Sequence, residues 1–168
     1  NQQAGNQVSL SRSLRNIANN IFMLNQEKAK PDTQSMSQAL NDYFQAIESL
    51  EKYGVVQRAK KKEKDGLINL KVETGVGEDV SGAATGFDLV GEQKLIFHYI
   101  GKIYSDFKEY GKAIEYFKKK LALIPADLDV EKNIPISLEK ALLQNQIGNF
   151  LFHEGQYDAS LDYFRQSY

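Results

Sequence analysis

Two histidines, a run of lysines, scattered glycines and a pair of asparagines four residues apart are the side chains here whose types invite chemistry. Catalysis by His98 or His153 would need an acid, a base or a metal ligand at a matching helical offset. His153 has only the adjacent Glu154, which points elsewhere on a helix. The carboxylates are numerous but scattered, and no spacing forces two together, so neither a glycosidase-like pair nor a metal cluster is indicated. Cysteine is absent. That removes a thiolate nucleophile, a disulfide framework and a thiolate zinc site, and leaves the compartment open, cytoplasmic by default. Lys60, Lys61, Lys62 and Lys64 are mixed with Glu63 and Asp65, the pattern of a solvated helical end rather than a phosphate-contacting patch. Gly75, Gly77, Gly82, Gly86 and Gly91 form no G-x-x-x-x-G-K-[ST], and Val80 stands where a dinucleotide loop needs its third glycine. No catalytic residue, metal or cofactor is assigned, and the chain is expected not to be an enzyme. Asn145 and Asn149 remain. They project from one helical face, and their amides donate and accept at once, which suits the backbone of a bound peptide.

The elements that must carry these residues are helices. Within residues 94–127, Phe97, Ile100, Ile103 and Tyr104 recur at three and four residues, and Ile114, Phe117, Leu121 and Ile124 do so again. Gly111, in Glu109-Tyr110-Gly111, is placed to end the first helix and reverse the chain. Pro125 closes the second. This antiparallel hairpin resembles the tetratricopeptide repeat, whose signature is W-x2-L-G-x2-Y, then A-x3-F, then P, over about 34 residues. Phe97, Ile100, Gly101 and Tyr104 fill the first cluster, and Ala113, Phe117 and Pro125 the rest. Gly101 and Ala113 are small, so the two helices can approach closely. Lys120 stands where the family usually has Ala, which predicts looser packing on the next repeat.

A second copy runs through Ile147, Gly148, Leu151, Ser160 and Phe164, with twelve residues from Gly148 to Ser160 as from Gly101 to Ala113. Ser160 replaces the usual Ala and Gln144 the aromatic. Gly101 to Gly148 is 47 residues, longer than the family's about 34. The excess falls in residues 126–140, where Asn133 and Pro135 mark a helix start. In length these repeats are similar to those of scaffolds that organise cell polarity and spindle proteins, and to those fused to bacterial sensor kinases. A degenerate earlier copy is read in Leu14, Ile17, Ala18 and Ile21, followed by Ala39, Tyr43, Ala46, Ile47 and Leu50. Extra residues 25–33 surround Pro31, and Ser35 or Ser37 is expected to cap the second helix.

The resemblance implies an all-α chain of antiparallel hairpins stacked as a tetratricopeptide-like right-handed superhelix. Residues 1–8 are an unstructured lead, 9–53 the degenerate hairpin, and 54–93 a basic, then glycine-rich insertion in which Leu67, Ile68, Leu70 and Val72 pack back on the repeats or, as the alternative, occupy the groove as an internal ligand. Residues 94–127 are a full repeat and 134–168 an extended one, cut short at its end. The missing initiator Met and the stop in mid-pattern at Tyr168 are what a piece of a longer protein would show.

The family's inward-facing positions fall on His98, Lys102, Ser105 and Asp106, then on Asn145, Asn149, Phe152 and His153. The degenerate copy adds Arg12, Arg15 and Asn19, giving a basic, amide-rich groove suited to an acidic peptide. A chaperone-type carboxylate clamp would need Lys and Asn four apart on one first helix. The pairs here are His98 with Lys102 and Asn145 with Asn149, so that pattern is not met. The resemblance therefore implies a protein–protein interaction module or scaffold that binds a peptide or helix of a partner in its concave groove. The alternative is a regulatory or sensor region of a larger signalling protein. A net charge of -1 lacks the basic excess used against phosphate, so nucleic acid is not a partner. No apolar stretch nears the roughly 20 residues of a membrane span. Leu161 and Phe164 form an apolar face that leaves self-association open as a further mode.

Overall fold

The computed structural model describes residues 2–28, 32–64, 88–126 and 132–168, with side chains described for 5–28, 32–54, 88–126 and 132–168. Alternating steps of three and four residues decide the first hairpin. Helix α1 (Gln2–Gln26) and helix α2 (Thr33–Lys64) pack together. α1 buries Ser11, Ala18, Phe22 and Asn25, and α2 buries Met36, Ala39, Tyr43, Ala46, Leu50 and Tyr53, a two-helix seam. Asn25 ties off the connection: its amide donates to the Ile21 carbonyl at 2.9 Å and its oxygen accepts from Asp32 N–H at 2.9 Å. The cap of α2 is Asp32, which accepts from the backbone of Gln34 and Ser35 and from the Ser35 hydroxyl. Ser35 and Ser37, expected as caps, lie inside the helix, because a carboxylate one residue before the first turn reaches the orphan N–H groups better.

Two boundaries and one helix face differ from expectation. Residues 2–8 are the opening turns of α1 and not an unstructured lead. Ile17 is 51 % exposed, because the buried line of α1 passes through Ala18 and Phe22, one residue along. Residues 54–64 belong to α2, with Gly54 buried in it; an isolated Gly weakens a helix by only about 1 kcal/mol. The glycine-rich stretch and the apolar run from Leu67 to Val72 lie outside the described residues.

Helix α3 (Leu89–Asp106) starts at Asp88, whose carboxylate accepts from Gly91 N–H at 2.8 Å. Helices α4 (Tyr110–Leu121), α5 (Ile134–His153) and α6 (Tyr157–Gln166) follow, and no strand occurs among the described residues. Asn133 precedes α5 and Pro135 sits in its first turn, where the sequence marks a start. Two compact units result, residues 1–96 and 97–168. No helix among the described residues is long and apolar enough to cross a membrane.

In the second unit the chain makes the same hairpin twice. Glu109 N–H donates to the Tyr104 carbonyl and Gln156 N–H to Leu151, both at 2.9 Å. The residues before α4 and α6 share one conformation, φ -85, ψ 64 and φ -87, ψ 65. In both hairpins a glycine admits an aromatic ring: a Cβ on Gly101 would meet Phe117 at 2.9 Å, and one on Gly148 would meet Phe164 at 2.7 Å. Ala113 and Ser160 are both buried. The Ser hydroxyl is tolerated because it donates to the Gly148 carbonyl at 2.8 Å. Phe117, Phe150, Ile147 and Leu143 form the shared core.

The reversal itself is not made by Gly111, which lies in the first turn of α4. The left-handed residue is Lys108, φ 60, matched by Gly155, φ 74. A side chain disfavours that conformation and Gly does not. Lys108→Gly is therefore expected to stabilise the chain by about 0.5–1 kcal/mol, read as a higher urea midpoint at unchanged slope. An unchanged or lower midpoint would refute the assignment of strain to Lys108.

Candidate protein-recognition face

α5 buries Leu143, Ile147, Phe150 and Leu151 against α4 and α6. Its opposite side leaves Leu138 57 %, Leu142 63 % and Phe152 55 % exposed, with Asn145 and Asn149 exposed between them. Asn149 Nδ2 donates to Asn145 Oδ1 at 3.2 Å, so the two amides hold each other in place. One N–H of Asn149, both N–H groups of Asn145 and acceptor lone pairs on both oxygens stay available. At the end of the line, Phe152 meets Tyr157 edge-on at 5.3 Å, while His153 stacks on Tyr110 of α4 at 5.1 Å. This is an apolar and aromatic surface with an amide pair at its centre.

The α3 positions are less open. His98 packs edge-on to Phe117 at 6.0 Å and to Tyr99 at 5.5 Å, with Nδ1 enclosed and lacking a hydrogen-bond partner. Its pKa is pushed down to about 4, first by burial, then by Lys120 and Lys102, against a smaller opposing pull from Glu139. A folded pKa below the unfolded value of about 6.5 means the unfolded chain takes up the proton first. Stability is then full above about pH 6.5 and falls as the pH drops toward about 4. The loss would be roughly 3 kcal/mol for a fully enclosed ring, and about half that for a half-buried one screened by water. Urea titrations at pH 7.5 and 4.5 should show most of this loss in the wild type and a flatter profile in His98→Gln; parallel profiles would refute it.

Lys102 is half-buried and Asp106 exposed on the same helix. Lys120, expected to loosen packing, instead turns to α5 and pairs with Glu139 at 3.1 Å, its stem covering apolar surface on the way. In the first unit Arg15 Nε lies 2.7 Å from Glu92 Oε2, and Arg12 Nε 3.7 Å from Glu92 Oε1. Asn19 accepts from the Tyr43 hydroxyl. These three residues, read as groove lining, hold their own unit together, because each is within reach of a polar group on a neighbouring helix.

Sequence reasoning placed Asn145, Asn149, Phe152 and His153 on one surface but passed over Leu138 and Leu142. Apolar residues fall all round α5, so periodicity gives it no single direction. That was itself the signal of two apolar faces. Among the described residues no group of three or more His, Asp or Glu is placed to hold a metal ion. Comparison with family models, with curated proteins and with solved structures returns no match.

Proposed function

We propose that this chain is a tetratricopeptide-type helical repeat module that recognises a peptide or helix of a partner protein. The repeated hairpin of the second unit, with its two glycine–aromatic contacts and its two copies of one turn, supports the repeat reading. The observation that carries recognition is the Asn145–Asn149 hydrogen bond on an exposed face flanked by half-exposed Leu142 and Phe152. Apolar groups supply affinity and a fixed amide pair supplies direction. A preference for an acidic partner rested on Arg12 and Arg15 and loses its support with their pairing to Glu92. Asn149→Ala combined with Phe152→Ala is expected to weaken a bound partner by about 1 kcal/mol or more while leaving helicity intact, since both side chains are exposed. Affinity capture with the wild type and this variant side by side tests it, read by mass spectrometry. Partners held equally by both would remove the α5 face from the function.

A further inference from the structure

His98 is a titratable ring used as a packing element. It sets its edge against Phe117 of α4 at 6.0 Å and against Tyr99 of its own helix at 5.5 Å, and its Nδ1 is enclosed without a hydrogen-bond partner. The neutral ring therefore carries its proton on Nε2, since an N–H at Nδ1 would be a buried donor with nothing to receive it. A second proton, taken from solvent, would put both that N–H and a full positive charge at the enclosed nitrogen.

The charged neighbours offer no relief. Those acting on the ring are Lys102 on its own helix, Lys120 on α4 and Glu139 on α5. Two cations and one anion leave this cluster at +1, and protonation of His98 raises it to +2. The anion is already engaged, because Glu139 lies 3.1 Å from the largely buried Lys120. A group held neutral in the closed seam and free to charge in the open one favours the closed form above about pH 6.5 and the open form as the pH falls. What gives way follows from what else holds each helix. The core shared by α4, α5 and α6 has buried members only beyond residue 112, and Tyr104 of α3 packs against it from outside. The later half of α3 meets α4 through His98 and Gly101 on the Phe117 ring and through Tyr104, stacked 5.8 Å from Tyr116. Turning the imidazole out to water thus solvates the new charge at the expense of this one seam. We infer that the α3–α4 seam is an acid-sensitive joint, in which protonation of His98 separates residues 97–104 from α4 while α4, α5 and α6 stay together on their own core. The joint is independent of what the chain binds, and it assigns the acid loss of stability to one helix seam.

Hydrogen exchange of the whole chain, followed residue by residue by NMR at pH 7.5 and 4.5 and corrected for the intrinsic exchange rate, tests it. Screening of a half-buried ring by water leaves an expected effect of about tenfold. On acidification, protection of the amides of residues 100–104 should fall by that factor more than protection of residues 147–151. His98→Gln and His98→Phe, one polar and one apolar and neither able to take the proton, should each abolish the difference, so either variant that folds is sufficient. A fall shared evenly by α3, α5 and α6 would mean that acid weakens the unit as a whole, and would overturn the joint. A fall confined to α3 that survives the substitutions moves the sensor to another group and overturns the role of His98. Protection that does not change between the two pH values overturns both.

Discussion

Phe117→Ala is expected to destabilise the chain by about 3–5 kcal/mol, the range for deleting a buried aromatic ring. Phe117 is fully buried and stacks on Phe150 at 5.6 Å with the rings 16° apart. His98 meets the ring in a T-shaped contact and Gly101 faces its outer end. Three helices thus lose a common contact, and because each is fixed by other residues the space cannot collapse. Urea unfolding followed by circular dichroism gives the number. A cost below about 1 kcal/mol, the low end for a mutation that empties no real volume, would show that the ring is not the keystone described. The same variant carries a second signature. With the ring gone, water reaches His98 and its pKa should climb from about 4 back toward about 6.5, which NMR titration of the imidazole would follow.

Gly101→Val should cost about 3 kcal/mol, although replacing a helical Gly by Ala ordinarily gains about 1. The new Cβ would sit 2.9 Å from the Phe117 ring, which is trapped between Phe150 and His98 and has nowhere to go. Gly148→Val is the control. Its Cβ would come closer still, 2.7 Å from Phe164, yet Phe164 is only half-buried and can swing toward water. The expected cost there is about 1–2 kcal/mol. The order of the two variants is the test: a larger loss at Gly148 would mean that distance alone, and not the freedom of the ring, sets the penalty.

The hairpins from Leu89 onward were legible because a small residue opposite a large aromatic leaves a mark in composition as well as in period. Gly101, Ala113 and Phe117 show it, and the copy at Gly148, Ser160 and Phe164 shows it again. Turn geometry was read wrongly in the first copy. A lysine holds the left-handed position there, and its type gives no hint of φ; the hint lay at Gly155, seven residues past Gly148 as Lys108 is past Gly101. In the first hairpin a face was misjudged by one residue, because Ile17 and Ala18 both satisfy a helical period and only the partner helix decides between them. Among the site residues, Asn145, Asn149 and Phe152 came from the resemblance, and all three are exposed on α5. The use made of Arg12, Arg15 and Asn19 depended on Glu92 and Tyr43, which are far away in sequence and close only after folding.

Two hairpins built on one plan create a hazard for a chain finding its way to the native state. Setting Gly101 of α3 against Phe164 of α6, or Gly148 of α5 against Phe117 of α4, would bring together the same glycine and the same kind of ring, so these wrong couplings compete with the right ones. Gln144 discriminates. It is buried in the position held by Phe97 in the first hairpin, and its amide donates to Gln166 at 3.2 Å. In a swapped couple Gln144 would face Lys119, the counterpart of Gln166 and a donor alone, while Gln166 would meet the Phe97 ring. Of the two amides only Gln144 is buried, so a swap leaves its N–H groups without their acceptor at a cost of about 1–3 kcal/mol, which favours the right couple over the wrong one. The departure from the aromatic pattern at Gln144 is thus an identity tag that tells one half of a duplicated chain from the other.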